Sequence, residues 1–319
     1  MKRVTDIIET FKRVGRTEPP IASTSDRPRL DWFLSQLAGS HKMLMPLGCD
    51  VGCDTKGVKD TSLVRLPYPV VTFVFESAVP GAVSEAVVLL ESRVVVPFIR
   101  EGFLHDSPLS GLYGPASEVL MEESSRVFFM LTMQQVKTAW TAPTVLFQVN
   151  LDKAFSEEGY VSYTPFILLE HYCLEHGYVL IADQNLRIED NVTSAGTQML
   201  TNVVSALACM NAKNINSISI PPSKVANQIR AHKHKVPLFE YHVLDIFLNP
   251  DVRKLARTEP NKARPLILDA LTTSMPLHTV RGHFKQRKTG LFWWSPFIRG
   301  HIENGAVDKD YRVKLAHKE

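Results

Sequence analysis

The residues whose types and spacing could do chemistry lie near the end of the sequence, between residues 281 and 301. Arg281, His283 and Lys285 alternate along one run, and an aromatic run over 291–294 follows a short charged turn. Alternation is typical of a β-strand, in which side chains two residues apart share a face. The sequence therefore predicts a β-hairpin that combines guanidinium, imidazole and indole groups in a small area.

This mixture of groups suits RNA. Phosphates attract Arg and Lys, and unstacked bases lie on aromatic rings or guanidinium planes. We predict nucleic-acid contacts from this hairpin and from a basic arm at residues 224–235. The residues predicted to make these contacts are Arg281, His283, Lys285, Arg287, Trp293, Trp294 and Arg299 in the hairpin, and Arg230, Lys233 and Lys235 in the arm.

The same hairpin offers an alternative, which is catalysis without a metal. A metal-independent ribonuclease needs a base for the 2′-hydroxyl, an acid for the leaving oxygen and cations at the phosphate. His283 or His301 could transfer the protons, while neighbouring Arg and Lys side chains hold the charge. A third interpretation makes the hairpin structural, with its Trp residues in a small core, in a protein that inhibits by binding another protein.

Other candidate sites receive little support. Cys49 and Cys53 with His41 nearby would form an incomplete zinc site, because a second closing pair of ligands is missing. His171 and His176 do not have the i,i+4 spacing of helical metal sites. No phosphate-binding glycine loop, dinucleotide fingerprint or nucleophile elbow occurs. We therefore expect neither a metal nor a cofactor.

Composition sets the class of protein that must position these residues. The chain has 319 residues, of which 45% are hydrophobic and 22% charged, as in ordinary globular proteins. Four cysteines are too few for a disulfide framework. The first residues lack the apolar run of a secretory signal, and no apolar run reaches the roughly 18 residues of a membrane span. We expect a cytoplasmic protein without a membrane partner.

Charge is divided unevenly along the chain. Residues 251–319 contain 14 Lys and Arg against 7 Asp and Glu, whereas residues 1–250 contain 22 against 26. This asymmetry predicts a basic C-terminal module that meets an anion. The break at Pro221-Pro222 is the expected boundary. Residues 1–220 would form a domain that recognises a protein or peptide, and residues 221–319 a basic β-rich module that contacts RNA or another anion.

Periodicity predicts an α+β fold, a mainly antiparallel sheet with flanking helices. Helices are expected where apolar residues recur at helical spacing, at 3–14, from 31 onward, at 165–177 and at 191–212. Strands are expected in runs rich in β-branched and aromatic residues, at 69–76, 86–92, 93–99, 125–132 and 144–150. Residues 17–28 are expected to form a loop, and the basic arm a charged loop that leads into a strand.

The C-terminal signature resembles that of a family of uncharacterised phage and mobile-element proteins. The resemblance rests on Arg281-Gly282-His283-Phe284, on the aromatic run at 293–297 with Arg299-Gly300, and on 307–313. The spacing of Pro221-Pro222, Asn227, Arg230, Pro237 and Tyr241 fits the same set, as does Leu66-Pro67-Tyr68-Pro69. The signature is also similar to that of the type V-A anti-CRISPR protein that lowers the messenger RNA of its target nuclease.

This resemblance covers residues 221–319 and one motif in the middle of the chain. It implies a phage-encoded regulator that acts in the cytoplasm of a bacterial host, on RNA or on the translation of a host target. Its partners would be RNA or a ribosome-associated complex, together with a host protein. The resemblance does not extend to the first 60 residues, so it does not imply which target is chosen.

Overall fold

A computed structural model describes residues 1–14, 26–46, 65–76, 84–98, 127–136, 139–141, 145–150, 163–169, 199–200, 202–247, 250–260, 262–263, 265–267 and 283–294. The helices are α1 (Lys2–Val14), α2 (Asp26–Gly39), α3 (Ser92–Phe98), α4 (199–200 and 202–211), α5 (Lys224–His232), α6 (Pro250–Thr258) and α7 (260, 262–263 and 265–267). A 3₁₀ turn occupies Asp245–Phe247.

The described strands are β1 (His41–Pro46), β2 (Val70–Glu76), β3 (Glu85–Glu91), β4 (Val127–Val136), β5 (Ala139–Trp140), β6 (Val145–Asn150), β7 (Tyr163–Ile167), β8 (Ser217–Ile220), β9 (Tyr241–Leu244), β10 (His283–Arg287) and β11 (Gly290–Trp294). The first nine form one sheet in the order β7-β6-β4-β3-β2-β1-β9-β8, with β5 paired to β4. Strand β1 runs parallel to β2 and β9, and the other pairs are antiparallel. The predicted α+β fold with a mainly antiparallel sheet is confirmed.

The sheet is buried on both faces, and alternation along its strands separates two cores. Leu44 and Val74 belong to the first core, which also contains the apolar sides of α1 and α2. Met43 and Phe73 point to the second core, which α4 covers. The amphipathic pattern of residues 3–14 predicted α1 correctly. The four apolar residues of that pattern are buried in the first core, namely Val4, Ile7, Ile8 and Phe11.

Residues 93–99 are a corrected prediction. They were expected to form a strand, but the chain leaves β3 at Glu91 and forms helix α3 over Ser92–Phe98. Val95 and Val96 are buried, and Pro97 lies in the last turn. A short apolar run fits a buried strand and a buried helix equally well, and periodicity does not separate them. Packing against the sheet decides the outcome in favour of the helix.

Two more predictions are corrected at an edge strand and at a helix start. Pro165 was expected to begin a helix, but it lies in β7, paired with Phe147 of β6. Strand β7 is at one end of the sheet formed by the described strands, and an edge strand tolerates proline because only one of its sides needs ladder hydrogen bonds. Helix α2 begins at Asp26, within the expected loop and ahead of Asp31. The remainder of 165–177 and the start of 191–212 lie outside the described residues.

The sheet runs across the expected domain boundary. Strand β8 precedes Pro221-Pro222 and β9 follows it, and the two strands pair with each other. The assignment of protein recognition to 1–220 and of RNA contact to 221–319 therefore stays a prediction about function. In the described ranges, every helix is too short or too polar to cross a bilayer.

Candidate nucleic-acid interface

The predicted C-terminal hairpin is formed by β10 and β11. In its register Lys285 pairs with Phe292, and Phe284 pairs with Trp293. Paired residues share a face of a two-stranded sheet, and neighbours along a strand alternate. Phe292 and Trp293 therefore lie on opposite faces, as the sequence predicted.

One face of the hairpin is its anchor. Trp293 is 5% exposed and belongs to the second core. Its backbone N–H donates to Asn214 Oδ1 at 2.7 Å, and Asn214 Nδ2 donates to its carbonyl oxygen at 2.5 Å. At the turn, Gly290 has φ +131°, and a Cβ there would lie 2.9 Å from Lys213 Cε, so the turn also contacts the residues that follow α4. The hairpin is thus docked on the residues that follow α4.

The other face of the hairpin points outward and is cationic. Lys285 and Arg287 are exposed, as is Lys288 in the turn. The Arg287 guanidinium lies 5.6 Å from the centroid of the half-buried Phe292 ring, which is within cation–π range. Lys213, beside Gly290, is also exposed. Lys285, Arg287 and Phe292 are called the hairpin face below.

The remaining predicted hairpin residues are only partly described. The backbone of His283 pairs with that of Trp294 at the open end of the hairpin. Arg281, Arg299 and His301 lie outside the described residues. The described chemistry of the hairpin is therefore that of the hairpin face, which is cation and aromatic chemistry.

The basic arm is helix α5, and not the charged loop that was expected. Ser223 caps its start by accepting a hydrogen bond from the Ala226 N–H at 3.3 Å. At its end His234 has φ 49°, and the Lys235 N–H donates to the Arg230 carbonyl at 2.9 Å. This is the Schellman arrangement, which satisfies the last carbonyls of a helix. Two good caps make a helix from a segment whose charge suggested a loop.

Arg230 holds the arm in place. Its Nε donates to the Val236 carbonyl at 2.6 Å, and its Nη2 lies 2.5 Å from Glu9 Oε1 on α1. Both side chains of this ion pair are only 19% exposed. Asn227 adds two hydrogen bonds to the Leu238 backbone, at 2.7 and 3.0 Å. Arg230 is therefore committed to the fold, whereas Lys233 and Lys235 are exposed.

The hairpin and the arm lie on opposite faces of the sheet. Phe239, after the arm, packs against the first core, and the Thr5 hydroxyl donates to the Pro237 carbonyl at 2.8 Å. Trp293 of the hairpin is in the second core. The predicted contact residues therefore do not form one continuous surface.

Sequence reasoning missed a row of three stacked rings, called the aromatic row below. His41 lies between Tyr68 and His242, with ring centroids 3.8 and 4.0 Å apart and interplanar angles of 16° and 23°. Met43 in β1 and Leu244 in β9 place the two histidines on the second-core face, since each lies two residues from its histidine. No linear signal links residues 41, 68 and 242, because the parallel pairing of β1 with β9 brings them together.

Burial keeps both imidazoles of the row neutral. The pKa of His41 is lowered to about 4, first by burial and then by the nearby His242 and Lys42. Burial also lowers the pKa of His242, against the opposing effect of Glu240. Glu240 Oε1 lies 3.8 Å from His242 Nε2 and accepts a short hydrogen bond from the Ser219 hydroxyl. The row therefore continues into a polar edge at β8 and β9.

Lys42, on the opposite face, is a structural residue. Its Nζ donates to the carbonyls of Ala38 and Ser40, at 2.8 and 2.7 Å, at the end of α2. It also lies 4.5 Å from the centroid of the Phe239 ring. Burial lowers its pKa to about 8. A lysine held by carbonyls and a ring face caps a helix and does not present a reactive amine.

Within the described ranges, no three His, Cys, Asp or Glu side chains are close enough together to hold a metal ion. Cys49 and Cys53 lie outside those ranges, and His41 stacks in the aromatic row. No protein family, no curated protein and no solved structure matches the chain. What this interface can do follows from its own geometry and charge.

Proposed function

We propose that this protein binds single-stranded RNA through the hairpin face. The observation that supports the proposal is the contrast between the two sides of β11. Trp293 is 5% exposed and fixed in the second core, while Phe292, the residue before it, lies under the Arg287 guanidinium on the outward side. An anchored hairpin needs little reordering when it binds, so less of the binding free energy is lost to ordering.

The exposed side chains on the outward side of the hairpin have the chemistry that binds RNA. Exposed Lys and Arg attract phosphates, and an Arg over an aromatic ring gives a flat surface on which bases stack. Lys213 and Lys288 extend the cationic surface to either side of Gly290. Such a surface binds strands with little sequence preference, because every base has a π-face.

The biological setting is proposed from the resemblance alone. A phage-encoded, anti-CRISPR-like regulator in a bacterial host would use this surface on a host transcript or on a ribosome-associated complex. A host protein would be the second partner. RNA binding at the hairpin is compatible with this role and is the part that can be tested directly on the purified protein.

The test measures RNA affinity against salt. Fluorescence anisotropy with a labelled single-stranded RNA of about 12 nucleotides should show an affinity that falls steeply as salt rises. Lys285→Ala with Arg287→Ala should reduce the slope of log K against log salt by roughly 1.4, at about 0.7 per lost phosphate contact. The matched control is Lys233→Ala with Lys235→Ala, which removes the same charge on the opposite face of the sheet.

Each outcome distinguishes between the proposed function and its alternatives. Equal losses in both double variants would mean diffuse charge attraction, and unchanged binding in the hairpin variant would overturn the proposal. The same samples on a denaturing gel, with EDTA present, test the ribonuclease alternative: cut RNA would support it, and intact RNA would argue against it. Absence of any salt-dependent RNA binding would favour a protein-binding inhibitor with a structural hairpin.

A further inference from the structure

Tyr68 is an exposed aromatic ring on a stiff backbone. Its relative exposure is 41%, and it stands between Pro67 and Pro69. Proline fixes its own φ and restricts the residue before it, so this segment has few backbone conformations to lose. The His41 ring supports the Tyr68 ring from beneath at 3.8 Å. A ring that is both exposed and held in orientation is suited to stacking against a further flat group.

The aromatic row and the hairpin are anchored to the same end of α4. Asn211 Nδ2 donates to the Arg65 carbonyl at 2.8 Å, three residues before Tyr68. Asn214, three residues after Asn211, holds the backbone of Trp293. Both features also lie on the second-core face of the sheet. A strand bound at the hairpin can therefore continue toward Tyr68 on the same side of the molecule.

The chemistry of the row suits a base and not a phosphate. Its two imidazoles are neutral near pH 7, because burial lowers the pKa of each. The exposed carboxylate of Glu240 beside His242 would repel a phosphate. Ser219 and Glu240 offer hydrogen-bonding groups at the edge of the row. Aromatic side chains that stack on unpaired bases are one established way in which proteins hold RNA.

We propose that the aromatic row is a base-stacking site, in which a nucleobase of the bound strand stacks on Tyr68 and extends the row by one ring. This inference rests on the proposed RNA binding for its biological ligand, but the stacking site itself can be tested without the hairpin. It assigns a binding role to the Leu66-Pro67-Tyr68-Pro69 motif, and it separates base contact at Tyr68 from phosphate contact at the hairpin face.

The first experiment compares Tyr68→Ala with Tyr68→Phe in the same anisotropy assay. Loss of one stacked base should weaken RNA binding roughly 5- to 150-fold in Tyr68→Ala. Tyr68→Phe keeps the ring and should bind within about two-fold of the unchanged protein. The salt slope should stay the same in both variants, because Tyr68 neutralises no phosphate. An equally weak Tyr68→Phe, or a Tyr68→Ala that binds normally, would overturn the inference.

The second experiment detects stacking directly by NMR. AMP, added to the full chain, should shift the ring proton signals of Tyr68, and more weakly those of His41 beneath it, through the ring current of adenine, while ribose 5-phosphate should not. The shifts should persist in the Lys285→Ala, Arg287→Ala variant. Shifts without RNA binding would retain the stacking site and refute the proposed function. RNA binding that depends on the hairpin but is accompanied by no shifts would retain the proposed function and refute the stacking site. RNA that binds more tightly than AMP identifies a strand, and not a free nucleotide, as the ligand.

Discussion

The hairpin and the basic arm each involve an asparagine whose side chain makes two hydrogen bonds to a backbone, and they differ in what that asparagine joins. Asn214, after α4, bonds the Trp293 backbone of the hairpin, whereas Asn227 lies in α5 of the arm itself and bonds the backbone of Leu238, which follows the arm. The hairpin adds a buried indole to this clamp. Helix α5 of the arm buries no residue and adds the ion pair between Arg230 and Glu9.

The difference shows why a basic segment is not by itself a binding surface. In the hairpin, strand alternation places the buried Trp293 on one side and the exposed side chains of Lys285 and Arg287 on the other. In the arm, the cationic side chain of Arg230 is itself the anchor. Arg230 makes its contacts inward, to Glu9 and Val236. Arginine side chains on the two faces of the sheet therefore have different surroundings, with Arg287 exposed and Arg230 in contact with the fold.

The largest expected effect comes from the buried anchor. Trp293→Ala should lower the free energy of unfolding by about 3–5 kcal/mol, because a large side chain leaves the second core and a cavity remains. Urea denaturation measures the change. The control is Val225→Ala on α5, where the side chain is 65% exposed and the effect should stay within about 0.5 kcal/mol. Similar losses in the two variants would contradict the difference between the segments.

The next effect tests the polar anchor of the arm. Arg230→Ala should lower the free energy of unfolding by about 1–3 kcal/mol, since Glu9 and the Val236 carbonyl both lose a charged partner. RNA affinity of the folded variant should not change. A double-mutant cycle with Glu9→Gln measures the coupling between the two side chains. If the Arg230→Ala variant is as stable as the unchanged protein but binds RNA weakly, Arg230 contacts RNA.

The two asparagines give a smaller and closely matched pair. Asn214→Ala and Asn227→Ala each remove two hydrogen bonds to a backbone, and each should cost about 1–2 kcal/mol. Only Asn214→Ala should also weaken RNA binding, because it loosens the hairpin face. Parallel denaturation and anisotropy measurements give both values. Equal RNA affinities in the two variants would mean that the buried indole alone orients the hairpin.

Local pattern was enough to predict much of the fold. Helix α1 was predicted from its apolar spacing, and the hairpin from its alternation. Strands β2, β3, β4 and β6 were predicted from their runs of β-branched residues. The pattern failed at Val94–Val96, where a short apolar run has two solutions and tertiary packing chooses. It also failed in the basic arm, where charge suggested a loop but Ser223 and His234 supply helix caps.

The candidate site was less predictable than the fold, for a physical reason. A site depends on which elements meet, and the meeting of β1, β9 and the segment before β2 is set by long-range pairing. His41 was considered only as a zinc ligand, whereas the fold stacks its ring between Tyr68 and His242. The commitment of Arg230 to Glu9 joins residues 221 positions apart, which no local spacing reveals.

The aromatic row, on the same face of the sheet as the hairpin, predicts that the stability of the protein depends on pH. Because the pKa of His41 is about 4 in the folded protein and about 6.5 when unfolded, the unfolded chain binds the extra proton. Stability should therefore be complete above pH 6.5 and fall as pH drops toward 4. Discounted for the half-exposed ring, the His41 share is about 1 kcal/mol.

His41→Phe keeps a stacked ring and removes the proton site, so denaturation from pH 7 to 4 should be flatter than in the unchanged protein. The charges of His242, Lys42 and Glu240 act on the His41 imidazole, with Lys42 on the opposite face of β1, and Tyr68 stacks on it. All four side chains remain in both proteins. The comparison is therefore made between the two proteins at each pH. If the two proteins lose stability identically as pH falls, the pKa of His41 is not lowered by folding.

The smallest effect tests the cap that makes the arm a helix. His234 has φ 49°, a left-handed conformation that costs an ordinary residue roughly 1 kcal/mol and glycine much less. His234→Gly should relieve this strain, and the net stabilisation should be only about 0.5 kcal/mol, because the added freedom of glycine in the unfolded chain opposes the gain. Ala231→Gly, three residues earlier inside α5, should instead destabilise it by up to about 1 kcal/mol. Thermal unfolding of the two variants should thus shift in opposite directions. A shift in the same direction would mean that the arm does not end in a left-handed cap, and its distinction from the hairpin would then rest on the Arg230 ion pair alone.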